Sequence, residues 1–506
     1  MKKILISSFA ISALLLVSCN TDFEQDVNNM TVSNGTANFS KYVSLGNSLT
    51  SGYRDGALYL DGQNESYPSM IAKSMARAGG SQTFNQPLME DNNGGLLLPT
   101  PGGNVQIADT KLYLKEFVSG SPVLDKVNGN VAKNVFKNIY TASTPFQNLG
   151  VPGAKSFHLV YSGYGNPAGI ATKTANPYYA RFASTPTATV VGDAMAQSPT
   201  FFSLWIGNND TLGYATSGGD ATLDQITPTA TFNAAYGEIV NTLTSKGAKG
   251  VVANLPYVTS IPFFTTVPYN PVPGAKVAAN ITSLTTLYTQ LKGALAYLGV
   301  TDRIVAMPSA TGANRVLMKD ESLTDLSAQL TAVFTASGMP AAQAAAFGQI
   351  YGQVRQSRPT DLILLSSSSV IGTANASAPS SINVYGITYP LEDRHVLIPS
   401  EVTEINTTID AYNATIKSLA TSKGLAFVDA NAKMKELGTT SGIQYNGVKY
   451  TASFITGGTF SLDGVHPNGR GYAIIANTFI SAINNTFYST LPFVDINAYS
   501  GVTFPK

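Results

Sequence analysis

The chain has 506 residues, 44% of them hydrophobic and 12% charged, with 31 Lys plus Arg against 30 Asp plus Glu and a net charge of +1. Soluble domains average about 25% charged residues, so neutral polar groups dominate this surface; near-zero charge with ordinary hydrophobic content excludes an intrinsically disordered chain, and the lack of a basic stripe excludes a nucleic-acid partner. A single cysteine, Cys19, excludes an internal disulfide, and with only His158, His395 and His466 beside it there is almost no room for a structural zinc site.

The chain opens on Met1-Lys2-Lys3, and residues Ile4 to Val17 are apolar or small. That run is too short to span a bilayer comfortably and reads as a secretory signal over residues 1–18. It ends Leu16-Val17-Ser18-Cys19, which resembles a bacterial lipobox. The resemblance implies cleavage before Cys19 and a lipid on its thiol. The protein is then expected in the cell envelope, outer-membrane anchored, facing the periplasm or the surface. Residues 19–40 are polar and patternless and read as a tether.

Short apolar runs come next, at Tyr42 to Leu45, Phe201 to Ile206, Gly250 to Leu255 and Leu425 to Val428. Such runs suit strands buried on both faces, as in parallel sheets. Between them, Phe232, Tyr236, Ile239, Val240 and Leu243 share one helical face, and Gly247 is a plausible stop. Ile405, Ile409, Tyr412, Ile416 and Leu419 do the same, as do Tyr472, Ile475, Phe479 and Ile483. Strand–helix alternation predicts an α/β fold around a parallel sheet. The core is expected over residues 41–256 and 401–486, with a C-terminal extension, 487–506. Two stretches read as additions. Residues 79–141 are Gly/Asn-rich and irregular. Residues 257–400 begin with a Pro-rich loop, carry helical patterns at Leu284 to Leu298 and Ala341 to Arg355, and read as an inserted subdomain or cap. The apolar run Leu362 to Leu365 within it is a further strand candidate for the sheet.

Four blocks carry chemistry. Gly46-Asn47-Ser48 closes the first strand, where ligands bind in open α/β sheets; taken alone, Ser48 reads equally as a helix cap. Asn148 to Gly153 is glycine-rich enough for backbone N–H groups to approach a ligand, and alone reads as a turn. Gly207-Asn208-Asn209-Asp210 ends another strand, and an Asn amide donates to an oxyanion without a charge. Asp463-Gly464-Val465-His466 spaces a carboxylate three residues from an imidazole, close enough to orient it in a tight turn. A serine hydroxyl needs an adjacent base. Of the three histidines, His158 has no carboxylate within several residues, His395 lies in the charged loop Glu392-Asp393-Arg394, and His466 has the favourable spacing.

In this order and placement the four blocks resemble the SGNH hydrolase superfamily, the GDSL-type esterases and lipases. The resemblance covers about 41–80, 142–256 and 401–486. It implies a three-layer α/β/α, flavodoxin-like fold with strand order 2-1-3-4-5. It also implies Ser48 as nucleophile, His466 as general base and acid, and Asp463 as the group orienting His466. The oxyanion would be held by the backbone N–H of Ser48 and of Gly153 and by the Asn209 side chain. Asn47 departs from the family, which has Asp there. No metal or organic cofactor is needed. There is no G-x-S-x-G elbow of the α/β-hydrolase kind and no H-E-x-x-H zinc motif.

The expected activity is therefore hydrolysis of carboxylic esters through an acyl-enzyme on Ser48. The substrate is a small-molecule, lipid or glycan ester. A lipolytic acyl esterase comes first, with Phe263, Phe264, Tyr269 and Tyr288 available for an acyl groove. A carbohydrate acetyl esterase is the alternative, and a non-catalytic binding lipoprotein on the same scaffold the third reading.

Overall fold

The computed structural model describes residues 31–118 and 121–502. Cys19 and the signal lie outside the described residues. Among the described residues, no helix is long and apolar enough to cross a membrane.

Five short strands form one sheet: β1 (Tyr42–Gly46), β2 (Asn148–Gly150), β3 (Phe201–Trp205), β4 (Lys249–Ala253) and β5 (Ala426–Val428). Their order is β2-β1-β3-β4-β5 and every pairing is parallel. This is the doubly wound order in which ligands bind at the carboxyl ends of the strands, where the order reverses. All of β1 and β3 is buried, as strands covered on both faces must be.

Among the described residues, four main helices cover the sheet: α1 (Tyr67–Arg77), α2 (Thr229–Thr244), α3 (Pro399–Ser422) and α4 (Gly469–Phe487). On one face α1 and α4 pack together. Tyr67, Trp205 and Phe479 meet there with ring centroids 4.9 to 6.0 Å apart. On the other face α2 and α3 pack through Phe232 stacked on Tyr412 at 3.9 Å. The buried stripe of α2 is Phe232, Tyr236, Ile239, Val240 and Leu243, the residues whose period marks the helix. Within the sheet, Tyr42 and Ser203 share a hydrogen bond of 2.7 Å, and the Ser203 hydroxyl donates to Ser44 at 2.8 Å.

Several expectations need correction. The glycine block is not simply a turn: Asn148–Gly150 is an edge strand, and the loop begins only at Val151. The tether ends earlier than residue 40, because Ala37 and Phe39 are buried in the core. Residues 79–141 are not wholly irregular. They hold two antiparallel hairpins, Gly94–Thr100 with Gly103–Thr110 and Leu112–Val118 with Ser121–Lys126. Leu362–Ile363 does not join the sheet; it pairs antiparallel with Val396–Leu397.

The stretch 257–400 builds separate apolar clusters. One gathers Leu291, Leu295, Leu330, Phe347 and Tyr351 from three helices. Beside it Arg355, fully buried, bonds Asp320 at 2.5 Å and Asp361 at 2.6 and 2.8 Å. A guanidinium removed from water needs such pairing on every side. Of the four aromatics expected to line an acyl groove, Phe264 and Tyr288 are core residues and the Arg315 guanidinium lies over the Tyr269 ring, while Phe263 lines a broad cleft beside this stretch.

Candidate active site

Ser48 follows Asn47, which stands just after β1 and caps the short helix Ser48–Ser51. The Asn47 side chain accepts from the Leu49 N–H at 3.0 Å and donates to the Asn208 side chain at 3.3 Å. The amide thus ties the serine block to the asparagine block. An ionised Asp at position 47 could cap the helix but could not donate to Asn208. Being the first helical residue, Ser48 has an N–H without an intrahelical acceptor.

The Ser48 hydroxyl lies 2.9 Å from His466 Nε2, and His466 Nδ1 lies 2.9 Å from an Asp463 carboxylate oxygen. Ser48 and His466 are 418 positions apart in the chain. Asn468 closes the turn after His466 by accepting from the Gly471 N–H at 3.0 Å, which starts α4. The other Asp463 oxygen accepts from the Val465 and His466 N–H groups, each at 2.8 Å, and from Ser461 at 3.0 Å. The Gly56 N–H donates to the histidine-facing oxygen at 2.9 Å. Burial pushes the Asp463 carboxyl up, but the His466 imidazole and these N–H donors outweigh burial and hold it at about 2. Asp463 is therefore an anion that fixes the His466 ring. The Tyr53 ring packs on the imidazole with centroids 4.8 Å apart.

The glycine block meets the serine turn at Gly150, whereas Gly153 is not among the residues lining the cavity of Ser48 and His466. A Cβ on Gly150 would meet the Ser51 nitrogen at 2.4 Å, so only glycine lets β2 approach the serine turn this closely. Gly153 has φ +79, a left-handed conformation that favours glycine, and its backbone is exposed. Asn209 donates one amide hydrogen to the Ala154 carbonyl at 2.9 Å, leaving the second free. Asn209 and Ser48 both line the cavity that contains His466.

The structure adds residues that the motifs do not single out. Asp210 accepts from the Ser156 N–H at 2.8 Å and from the Ser156 hydroxyl at 2.7 Å. It pins the glycine loop to the end of β3. Burial pushes its carboxyl up to about 6 against those bonds. Asp55 accepts from the Leu462 N–H at 3.0 Å, and its own N–H donates to Ser461 at 2.9 Å. The turn after Ser48 therefore clasps the turn bearing Asp463. The Asn-Asp pair in Gly207 to Asp210 is a usable signal for Asp210; nothing local marks Asp55.

The other histidines lie apart from Ser48 chemistry. His158 Nδ1 accepts from the Lys155 N–H at 3.0 Å, and its ring stacks on Tyr164 at 4.3 Å. Burial, with Lys155 nearby, pushes its pKa down to about 4. His395 Nδ1 accepts from the Glu392 N–H at 3.1 Å, beside Tyr385.

Two openings bear on the site. A cavity of about 120 Å³ is lined by Ser48, Asn209 and His466 and continues along α4. A broad cleft of about 2640 Å³ lies between the 112–124 hairpin, the 257–400 stretch and residues 438–456, and reaches Asp463. Elsewhere, Glu321, Asp393 and Glu401 bring one carboxylate oxygen each within 4.8 Å of the others, the spacing a metal ion would need.

No family model and no curated protein matches the chain. Among solved structures, a mutant of an acetyl-xylooligosaccharide esterase from Geobacillus Stearmophilus is similar over 89% of this chain and 96% of that one. The identity is 10% and the TM-score 0.31, too loose to bear on chemistry.

Proposed function

We propose that the protein is a serine ester hydrolase of the SGNH type. The observation that carries this reading is the continuous chain Ser48–His466–Asp463, two contacts of 2.9 Å each. A hydroxyl, an imidazole and an oriented carboxylate in that order are what acyl transfer needs.

In the first half-reaction His466 Nε2 takes the Ser48 proton as the oxygen attacks the ester carbonyl. The oxyanion is received by the Ser48 and Gly153 N–H groups and by the Asn209 amide. The carbon–oxygen bond to the alcohol then breaks, and the alcohol leaves with the proton held by His466. In the second half, His466 takes a proton from water, hydroxide adds to the acyl-enzyme, and the acid departs as Ser48 regains its proton. Asp463 stabilises the imidazolium in both halves and stays ionised.

A lipolytic or acyl esterase is the first reading of the substrate. The carbohydrate esterase reading draws support from the broad cleft, which Ser366, Ser368, Ser380, Thr282, Thr439 and Gln290 help to line. The lipobox-like Leu16 to Cys19 supports a lipid-anchored protein of the cell envelope.

Hydrolysis of p-nitrophenyl esters, acetate through palmitate, by the protein and by its Ser48→Ala variant tests the activity. Ser48→Ala is expected to lower kcat by on the order of 10⁶. Equal turnover by both proteins would overturn the assignment of Ser48, and two folded but inert proteins would favour the binding lipoprotein.

A further inference from the structure

We infer that the cavity beside Ser48 holds the acyl chain of the substrate, and that the acid transferred has about four to six carbons. The inference rests on the esterase reading above and adds the substrate's acyl class to it.

The cavity has Ser48, Asn209 and His466 in its wall. Its remaining lining is largely hydrocarbon. Helix α4 contributes Gly471, Ile474, Ile475, Thr478 and Phe479, a run with helical spacing along one side. Val428, at the end of β5, and Met434 and Leu437 on the helix Ala430–Leu437 form the facing side. Val428, Met434, Leu437 and Phe479 are buried, whereas Ile475 is only half-buried. An apolar space that opens on a nucleophile suits whichever of the two groups on the attacked carbonyl is hydrocarbon. The polar alcohol finds nothing to bond among Val428, Met434 and Phe479, so the acyl chain takes this side.

The volume sets the length. Apolar cavities of about 150 Å³ accept benzene, with its six carbons. A space of about 120 Å³ therefore takes a short alkyl chain and excludes a palmitoyl tail. An acetyl group would leave most of it empty. The broad cleft plays no part in this selection: it is lined by Asp463 but not by Ser48 or His466.

Each buried methylene is worth about fourfold in affinity. Butyrate should thus exceed acetate by about 15-fold in kcat/KM, activity should peak between butyrate and hexanoate, and palmitate should fall sharply. The test is the chain-length profile of the full-length protein and of two variants, read as ratios of kcat/KM. Ala430→Phe puts a ring into the cavity and should bring the butyrate-to-acetate ratio to one or below. Ile475→Ala enlarges it from a half-buried position and should move the peak toward octanoate. If Ala430→Phe fails to fold, the wild-type profile and Ile475→Ala still decide. A wild type that prefers acetate, or a flat profile that neither variant moves, overturns the acyl pocket while leaving the esterase standing. Absence of hydrolysis for every ester, with no labelling of Ser48 by a fluorophosphonate, overturns the esterase reading and the pocket with it.

Discussion

Asp463 shows how a single carboxylate is set to its task. One oxygen faces His466 while the other is held by two backbone N–H groups and Ser461. The acceptor oxygen toward His466 Nδ1 favours the tautomer whose Nε2 is free to accept from the Ser48 hydroxyl. Asp463→Asn keeps the shape but offers an amide in one of its orientations, so the wrong tautomer becomes available. The expected loss is about 10⁴-fold in kcat, measured on folded protein with the ester that it hydrolyses best; the amide also faces a backbone N–H in either orientation, so a stability loss of about 1–3 kcal/mol accompanies it. A loss below tenfold would mean that the carboxylate is not orienting His466. At this scale much is legible in the sequence. Asp463 and His466 lie three positions apart, so their meeting depends on one local turn. Asp55 and Gly56 are different. They touch the Asp463 turn from more than 400 positions away, a contact no local pattern encodes.

The elements of the sheet are readable where they are continuous and apolar, as in β1, β3 and β4, and where a 3.6-residue stripe marks α2, α3 and α4. Strand β2 escapes because its three residues include Asn148 and Gly150, chosen by contacts with the serine turn rather than by strand propensity. The hairpins within 79–141 escape for a related reason. Their strands are half-exposed, bulged between Leu96 and Leu97 and between Leu114 and Glu116, so alternation breaks. The Asp210–Ser156 staple acts between elements. Asp210→Ala removes both acceptor oxygens and leaves the buried Ser156 N–H unsatisfied, at a cost of about 1–3 kcal/mol. The loop carrying Gly153 should then lose its fixed position. We expect kcat to fall by about 10- to 100-fold, short of the 10²–10³ seen when an oxyanion donor is removed outright, with KM nearly constant. An unchanged kcat would separate the staple from the oxyanion site.

Over the whole molecule, the junction between the 257–400 stretch and the core is marked by Glu321, Asp393 and Glu401. Burial pushes the Glu401 carboxyl up to about 9, with Glu321 and Asp393 adding to it against one bond from the Ile398 N–H. Asp393 rises to about 7 through burial first, then Glu321 and Asp220. A carboxyl that keeps its proton in the folded state, while the unfolded chain releases it, destabilises as pH rises. For Glu401 the loss runs from about pH 4.5, its unfolded value, to about 9. Glu401→Gln carries a neutral group at every pH and keeps an oxygen for Ile398. The variant should match wild type near pH 4.5 and be more stable than wild type at pH 8. Thermal unfolding at the two pH values checks this, and an equal difference at both would remove the carboxylate cluster from the pH dependence. The sequence shows Asp393 only as part of a charged loop and does not mark the cluster, because the encounter depends on how an addition of more than a hundred residues folds back on the core.

The central claim is that Ser48 is a nucleophile activated by His466. A fluorophosphonate reacts with such a serine by losing fluoride and forming a phosphonate ester on its oxygen, with no demand on the natural substrate. The direct measurement is peptide mass mapping of the labelled protein, wild type beside His466→Ala. One adduct is expected, on Ser48, formed far more slowly in His466→Ala. A folded wild-type protein that takes no label, or takes it on another serine, would contradict the central claim.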